Sequence, residues 1–144
     1  MIIKFTKLDP RAKMPTKAHL HDAAFDLTAV GISYNDHSIT YDTGIAVDIP
    51  PGYVGLVFQR SSVAKKSQIL SNAVGVIDSG YSGSIKCNFK WLKDMPNDFY
   101  DNGDRIAQIM FIQLVPVIFA ECKSVEDFEH TTERGAGGYG STGN

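Results

Sequence analysis

The residues of this 144-residue chain that could do chemistry fall in short clusters, and the densest is Asn72-Ala73-Val74-Gly75-Val76-Ile77-Asp78-Ser79-Gly80-Tyr81-Ser82-Gly83. It opens with a β-branched run and then sets a carboxylate, a glycine, a tyrosine and another glycine close together. The pattern predicts a strand ending in a hairpin, with Asp78 at the mouth and Tyr81 folded back beside it. A carboxylate and an aromatic face would then share one small concavity. The same residues also satisfy ordinary turn geometry, so this cluster alone leaves both readings open.

A second cluster, Gln59-Arg60-Ser61-Ser62, leaves the end of an apolar strand. Guanidinium makes charge-assisted bidentate contacts with phosphate, and hydroxyls and backbone N–H groups can fill the remaining oxygens. Ser61 or Ser62 could equally cap a helix running through Val63 to Lys66. The two roles are compatible, because a helix N-terminus is itself an anion site. Two further acid-bearing runs are Asp22-Ala23-Ala24-Phe25-Asp26-Leu27-Thr28-Ala29, with Asp22 at a turn, and Gly103-Asp104-Arg105-Ile106-Ala107-Gln108, where Asp104 and Arg105 could pair at a strand entrance.

These clusters are separated by short strand-like runs with turn chemistry between them and little helical periodicity. Ile2 to Leu8 alternates like a sheet edge and stops at Asp9-Pro10; the following loop carries His19 and His21 as solvated residues. Ile39 to Ile49 reads as extended, Pro50-Pro51-Gly52 as a turn, and Tyr53 to Phe58 as a strand closing a hairpin with it. Ser84 to Trp91 sets Ile85, Cys87, Phe89 and Trp91 on one face against Lys86, Asn88 and Lys90. Lys93 to Asn102 reads as a loop, and Ile109 to Phe119 as two strands or one bulged strand, with the last regular piece ending near Val125.

Composition bounds the rest. One domain of 144 residues with 43% hydrophobic and 21% charged residues is an ordinary globular chain. A net charge of −2 argues against an electrostatic nucleic-acid binder and leaves room for a small anionic substrate. Cys87 and Cys122 lie in apolar runs without metal-ligand spacing, which suits buried thiols in a reducing compartment. The start at Met1 is too short for a signal peptide and no apolar run reaches membrane-spanning length, so a cytoplasmic chain with no membrane partner is expected.

The tail from Arg134 to Asn144 is too glycine-rich to stabilise a core. Such a terminus is by default floppy. Its arginine, its aromatic Tyr139 and its hydroxyls, among Gly140, Ser141 and Thr142, instead suit a lid that orders on a ligand. The expected organisation is a folded domain over 1–133 and a lid over 134–144.

Taken together, Ala23 to Leu27, Arg60-Ser61-Ser62, Asn72 to Gly83, Gly103 to Gln108 and Arg134 to Gly143 resemble, in order, the sequence motifs of the trimeric deoxyuridine triphosphate nucleotidohydrolases, or dUTPases. The linking run Thr43 to Tyr53 is also similar to that family. The resemblance implies an all-β, jelly-roll-like β-sandwich subunit in a homotrimer, with active sites shared between subunits and closed by the glycine-rich lid. It implies hydrolysis of dUTP to dUMP and pyrophosphate, with Mg²⁺ on the triphosphate. By that likeness Asp78 is the general base, and Asp26 acts near the metal through bound water. Arg60, Ser61, Ser62 and Gln108 hold phosphate. Asn72, Gly75, Val76 and Ile77 read the uracil edge, Tyr81 packs on the deoxyribose, and Lys86 lines the base pocket. Arg134 reaches the γ-phosphate, and Tyr139 stacks on uracil with Gly140 and Ser141 beside it. The chain departs from the family pattern at Ala24 and Gln59, and at Tyr139, where phenylalanine is usual. Other functions to weigh are a dCTP deaminase of the same superfamily and a nucleotide-binding trimer without turnover.

Overall fold

The computed structural model describes residues 1–92, 98–133 and 135–137. Among them the strands are β1 Lys4–Lys7, β2 Phe25–Thr28, β3 Gly31–Tyr34, β4 Ser38–Asp42, β5 Ile45–Asp48, β6 Tyr53–Gln59, β7 Gln68–Leu70, β8 Val74–Ile77, β9 Lys86–Trp91 and β10 Arg105–Gln113. The helical pieces among the described residues are two short 3-10 turns, Ser61–Lys65 and Val125–Asp127. The expected all-β subunit is therefore what the chain forms.

The strands make two four-stranded antiparallel sheets, ordered β2-β10-β6-β8 and β3-β4-β9-β7, and a two-stranded sheet of β1 with β5. The two larger sheets share one core. Leu27, Val57, Ile106 and Ile109 meet Ile39, Tyr41, Cys87 and Phe89 there, as the inner faces of a β-sandwich do. The alternation that builds it is visible in β4, where Ile39 and Tyr41 are fully buried and Thr40 between them is not. A register shift between Arg105 and Ala107 lets Ile106 and Ala107 both enter the core. A bulge of this kind re-aims the neighbouring side chain, here Arg105.

Several sequence expectations are corrected. β5 and β6 do not form a hairpin: a turn closed by Tyr53 N–H on the Pro50 carbonyl (3.2 Å) sends them to different sheets. The Asn72 to Gly83 run is likewise not a paired hairpin. β8 belongs to one sheet and β9 to the other, and a turn closed by Tyr81 N–H on the Asp78 carbonyl (3.2 Å) begins the crossing. The 3-10 turn at Ser61 is capped at Arg60 with no side-chain cap from either serine. The last strand stops at Gln113, and Val115, Val117, Ile118 and Phe119 lie exposed beyond it. Cys87 is buried as expected, but Cys122 is exposed in that same segment. Trp91 keeps its predicted face, opposite the buried Gln68, but is partly exposed at the strand end, where it packs on Phe99, 5.9 Å between ring centres. The loop assigned to Lys93–Asn102 contains Tyr100, which is a core residue.

Candidate active site

β8 delivers the predicted nucleoside-side residues to one place. Asn72, Gly75, Val76, Ile77, Asp78, Tyr81 and Lys86 line a single hollow of about 260 Å³, together with Ser84 and Ile85. Ala73 takes a left-handed conformation (φ 58°) immediately before the strand. The Asn72 amide then lies over Gly75, where an added Cβ would stand 3.6 Å from its nitrogen and 3.2 Å from the Val57 side chain. Gly75 thus keeps backbone open where a flat ring could approach. At the far end of the strand, Gly80 (φ 86°) turns the chain and the Tyr81 ring folds over Gly83. The Tyr81 hydroxyl donates to the Ser84 carbonyl at 3.1 Å. Tyr81 and Asp78 line the same hollow, but the Tyr81 ring lies forward over Gly83 and Ser84 rather than folding back along β8.

Lys86 is held from the side. Its ammonium lies 3.4 Å from Asp42, whose other carboxylate oxygen accepts the Gly44 N–H at 2.8 Å and the Ser84 hydroxyl. Burial pushes the Asp42 carboxyl up, but the Ser84 hydroxyl, the Gly44 N–H and the Lys86 charge outweigh it and hold the group below its ordinary value.

The predicted phosphate-side residues form a second cluster. Asp26 on β2 is gripped by two arginines: Arg60 Nε donates to Oδ1 at 2.7 Å and Arg105 Nη1 to Oδ2 at 2.9 Å. Arg60 Nη1 donates further to the Ser62 hydroxyl and the Arg105 carbonyl, both at 3.3 Å. Asp26, Arg60, Arg105 and Gln108 line a hollow of about 330 Å³ with Asp22 on its wall. A carboxylate between two guanidinium groups fixes both cations while leaving the trio with net positive charge. Ser61 is exposed in the 3-10 turn, and neither it nor Ser62 lines this hollow, Ser62 reaching it only through its bond from Arg60. Arg105 does not pair with Asp104, whose carboxylate accepts the Asp101 N–H at 2.9 Å. Its role beside Asp26 was missed from sequence, because the long-range pairing of β2 with β10 that brings the two together leaves no local signal. Arg134, Tyr139, Gly140 and Ser141 lie outside the described residues.

The two hollows share no residue, and β6 measures their separation. Arg60 follows its last residue, whereas Ile77 pairs with Gly55, which sets Asp78 level with Val54. Six residues of extended chain span about 20 Å. One end of this sandwich carries cations and hydroxyls suited to phosphate, and a distant point carries an amide, open backbone, a carboxylate and a ring suited to a nucleoside.

Fold and site together define an all-β protein with two separated hollows, one rich in guanidinium groups and one lined by an amide, a carboxylate and an aromatic ring. The chain belongs to the dUTPase family, whose model matches residues 10–143. It is 38% identical to the deoxyuridine 5'-triphosphate nucleotidohydrolase of Rhodococcus erythropolis, across 98% of this chain and 85% of that one. Its fold matches the Staphylococcus bacteriophage 80alpha dUTPase, determined with dUPNHPP, at a TM-score of 0.75 and 29% identity, covering 99% of each chain. It also matches a mutant dUTPase of phage phi11 of S. aureus at 0.71 and 23% identity, covering 88% of this chain and 99% of that one, which is a likeness of fold.

Proposed function

We propose that this chain is a dUTP diphosphatase that hydrolyses dUTP to dUMP and pyrophosphate. The observation that carries the reading is the nucleoside hollow, which gathers Asp78, Tyr81, Asn72 and Lys86 around open backbone. The family match, the name of the Rhodococcus relative and the 80alpha enzyme's complex with dUPNHPP support it.

In this reading Asp78 orients a water and accepts its proton as the water attacks the α-phosphate, a role that contributes typically about 10²- to 10⁴-fold. The β8 backbone and Asn72 read uracil. A cytosine would present a donor where uracil presents an acceptor, and backbone groups fixed in a sheet cannot swap. Tyr81 packs on the deoxyribose and excludes a 2′-hydroxyl. Arg60, Ser61, Ser62 and Gln108 bind phosphate oxygens, so their charge and donors act where negative charge develops. Arg134, Tyr139, Gly140 and Ser141 close over the ligand as the lid.

Among the described residues no group of three or more His, Cys, Asp or Glu could hold a metal ion by itself. Asp26 already accepts from two arginines, and a carboxylate has further lone pairs free to accept from water. That donor set fits Mg²⁺ carried in on phosphate oxygens and waters, with Asp26 accepting from a bound water and Asp22 nearby. Bound there, the ion would neutralise charge on the triphosphate. The phi11 protein is described with a coordinated structural Mg(II) ion.

The separation of about 20 Å along β6 supports sites shared between copies, in this reading those of a homotrimer. A nucleotide whose α-phosphate lies at Asp78 cannot reach the same chain's Arg60, so the two half-sites must come from different copies. The exposed Val115, Val117, Ile118 and Phe119 support burial against a neighbour. No described helix is long and apolar enough to cross a membrane, and two free thiols suit a cytoplasmic setting.

The test is pyrophosphate release from dUTP, dCTP, dTTP and UTP, with wild type and Asp78→Asn compared on dUTP. Wild type should act on dUTP far above the others. The variant should bind deoxyuridine nucleotides and lose at least about 10²-fold in turnover. Turnover within about tenfold of wild type would remove Asp78 as the base, and ammonia release from dCTP would make the chain a deaminase.

A further inference from the structure

The phosphate half-site is wired into the hydrophobic core through one residue that the reading above leaves unused. Tyr100 is 4% exposed. Its ring packs edge-on against Tyr41 and Phe89, each 6.1 Å away between centres. Its backbone N–H donates to the Tyr41 hydroxyl at 3.2 Å, and that hydroxyl donates onward to Gln68 Oε1 at 2.9 Å. From outside, the Lys66 ammonium sits 5.2 Å over the ring, paired to Asp98 at 2.7 Å and donating to the Phe99 carbonyl at 3.0 Å. Two ring contacts, a cation over the ring and a bonded backbone hold this side chain in place. The Tyr100 hydroxyl lies 3.0 Å from Ser62 Oγ.

Counting protons at Ser62 gives the consequence. A serine hydroxyl has one proton and two lone pairs. Arg60 can only donate, and its Nη1 occupies one lone pair at 3.3 Å. If Ser62 donates to Tyr100, its proton points into the core and only a lone pair is left for a ligand. If Tyr100 donates, both lone pairs are filled and the Ser62 proton is released outward. A phenol is the better donor of the two, and a triphosphate offers only acceptors, so the second arrangement prevails once ligand arrives.

We propose that Tyr100 is a positioning residue for phosphate binding, donating to Ser62 so that Ser62 presents its proton, and Arg60 its guanidinium, to a phosphate oxygen of the nucleotide. This rests on Ser62 being a phosphate ligand, and the experiment separates the two claims. Tyr100→Phe removes the hydroxyl and keeps the ring, so packing is preserved.

The test is a double-mutant cycle of Tyr100→Phe and Ser62→Ala in the full-length assembled protein, reading kcat and KM for dUTP by pyrophosphate release, with melting temperature alongside. Tyr100→Phe should lower kcat/KM by about three- to tenfold when Ser62 is present and by less than about twofold when it is alanine. Ser62→Thr keeps a hydroxyl and should restore most of the sensitivity to Tyr100→Phe. Equal losses in both backgrounds would overturn the proposal and make Tyr100 a packing residue. A Tyr100→Phe protein that does not fold would overturn it as well, because the hydroxyl would then be a determinant of the fold. If Ser62→Ala leaves kcat/KM unchanged, Ser62 is not a phosphate ligand, and the phosphate-site reading fails together with this one.

Discussion

Two inactive versions of this chain should restore each other's activity when they assemble together. Asp78→Asn removes the proposed base and costs at least about 10²-fold. Arg60→Ala removes a charge-assisted phosphate contact and costs a comparable factor. It leaves Asp26 paired with Arg105 at 2.9 Å, so the fold should survive. Each homotrimer should therefore run near about 1% of wild type. If the two half-sites of one working site come from different chains, random assembly of an equal mixture makes the Asp78 contributor intact half the time and the Arg60 contributor intact half the time. About one quarter of wild-type activity should return in the unsorted mixture, and about one third in the mixed trimers alone, where one site in three is complete, well over tenfold above either parent. Co-expression with two affinity tags isolates the mixed assemblies, and pyrophosphate release reads them. The number follows from β6, which sets Arg60 and Asp78 about 20 Å apart in one chain. Doubly tagged assemblies that stay at parental activity would refute the reasoning, since every working site would then need both residues from the same copy.

Two further outcomes follow from local chemistry. Burial pushes the Tyr41 hydroxyl up to about 12 and the Cys87 thiol up to about 12, from ordinary values of 10.0 and 9.0. Both are neutral in the fold, so their contribution to stability is constant below about pH 9 and falls as pH rises toward 12, by roughly 1.4 kcal/mol per pH unit for each group in its window. Thermal melts from pH 8 to 11 should show this, with a smaller slope for Tyr41→Phe; a melting temperature flat to pH 11 would contradict it. Gly83→Ala would place a Cβ 2.5 Å from the Tyr81 hydroxyl and 2.7 Å from Cζ. Because a side-chain tip can swing away cheaply, the melting temperature should change by less than a few degrees. Discrimination of dUTP against UTP should fall severalfold, and unchanged discrimination would remove Tyr81 from the sugar site.

The fold's turns were legible from sequence, and its strand partners were not. Pro50-Pro51-Gly52 predicts a turn because proline presets φ and glycine accepts φ 81°. Nothing local says that β5 will leave its neighbour for β1. Ile45, Ala46 and Val47 are all buried, so the strand is covered on both faces and shows no alternation to read. Beyond Gln113 the apolar residues that suggested more strand are exposed. Hydrophobicity states that a segment needs cover and leaves open which chain supplies it. Tyr100 was hidden for the opposite reason: a polar, proline-bearing stretch looks like a loop, and its buried ring is invisible until β4 and β9 are in place.

At the site, residue identity was more legible than the work each residue does. Asn72, Asp78 and Tyr81 could be read together, and line one hollow, because a strand and the turn after it are local, so their order in the chain is nearly their order in space. Asp26 could not. A carboxylate near a triphosphate invites a metal role, and the sequence offered no sign that two arginines, one 34 residues away and the other 79, would close on it. Removing Asp26 therefore leaves two like charges facing each other with their tether gone. Asp26→Asn still offers one acceptor oxygen but no counter-charge, so Arg60 and Arg105 should drift apart and KM for dUTP should rise by about tenfold or more. A lost metal contact alone would instead show as a higher Mg²⁺ requirement that added Mg²⁺ overcomes. If saturating Mg²⁺ returns Asp26→Asn to the wild-type KM, the arginine clamp is incidental and the carboxylate serves the ion.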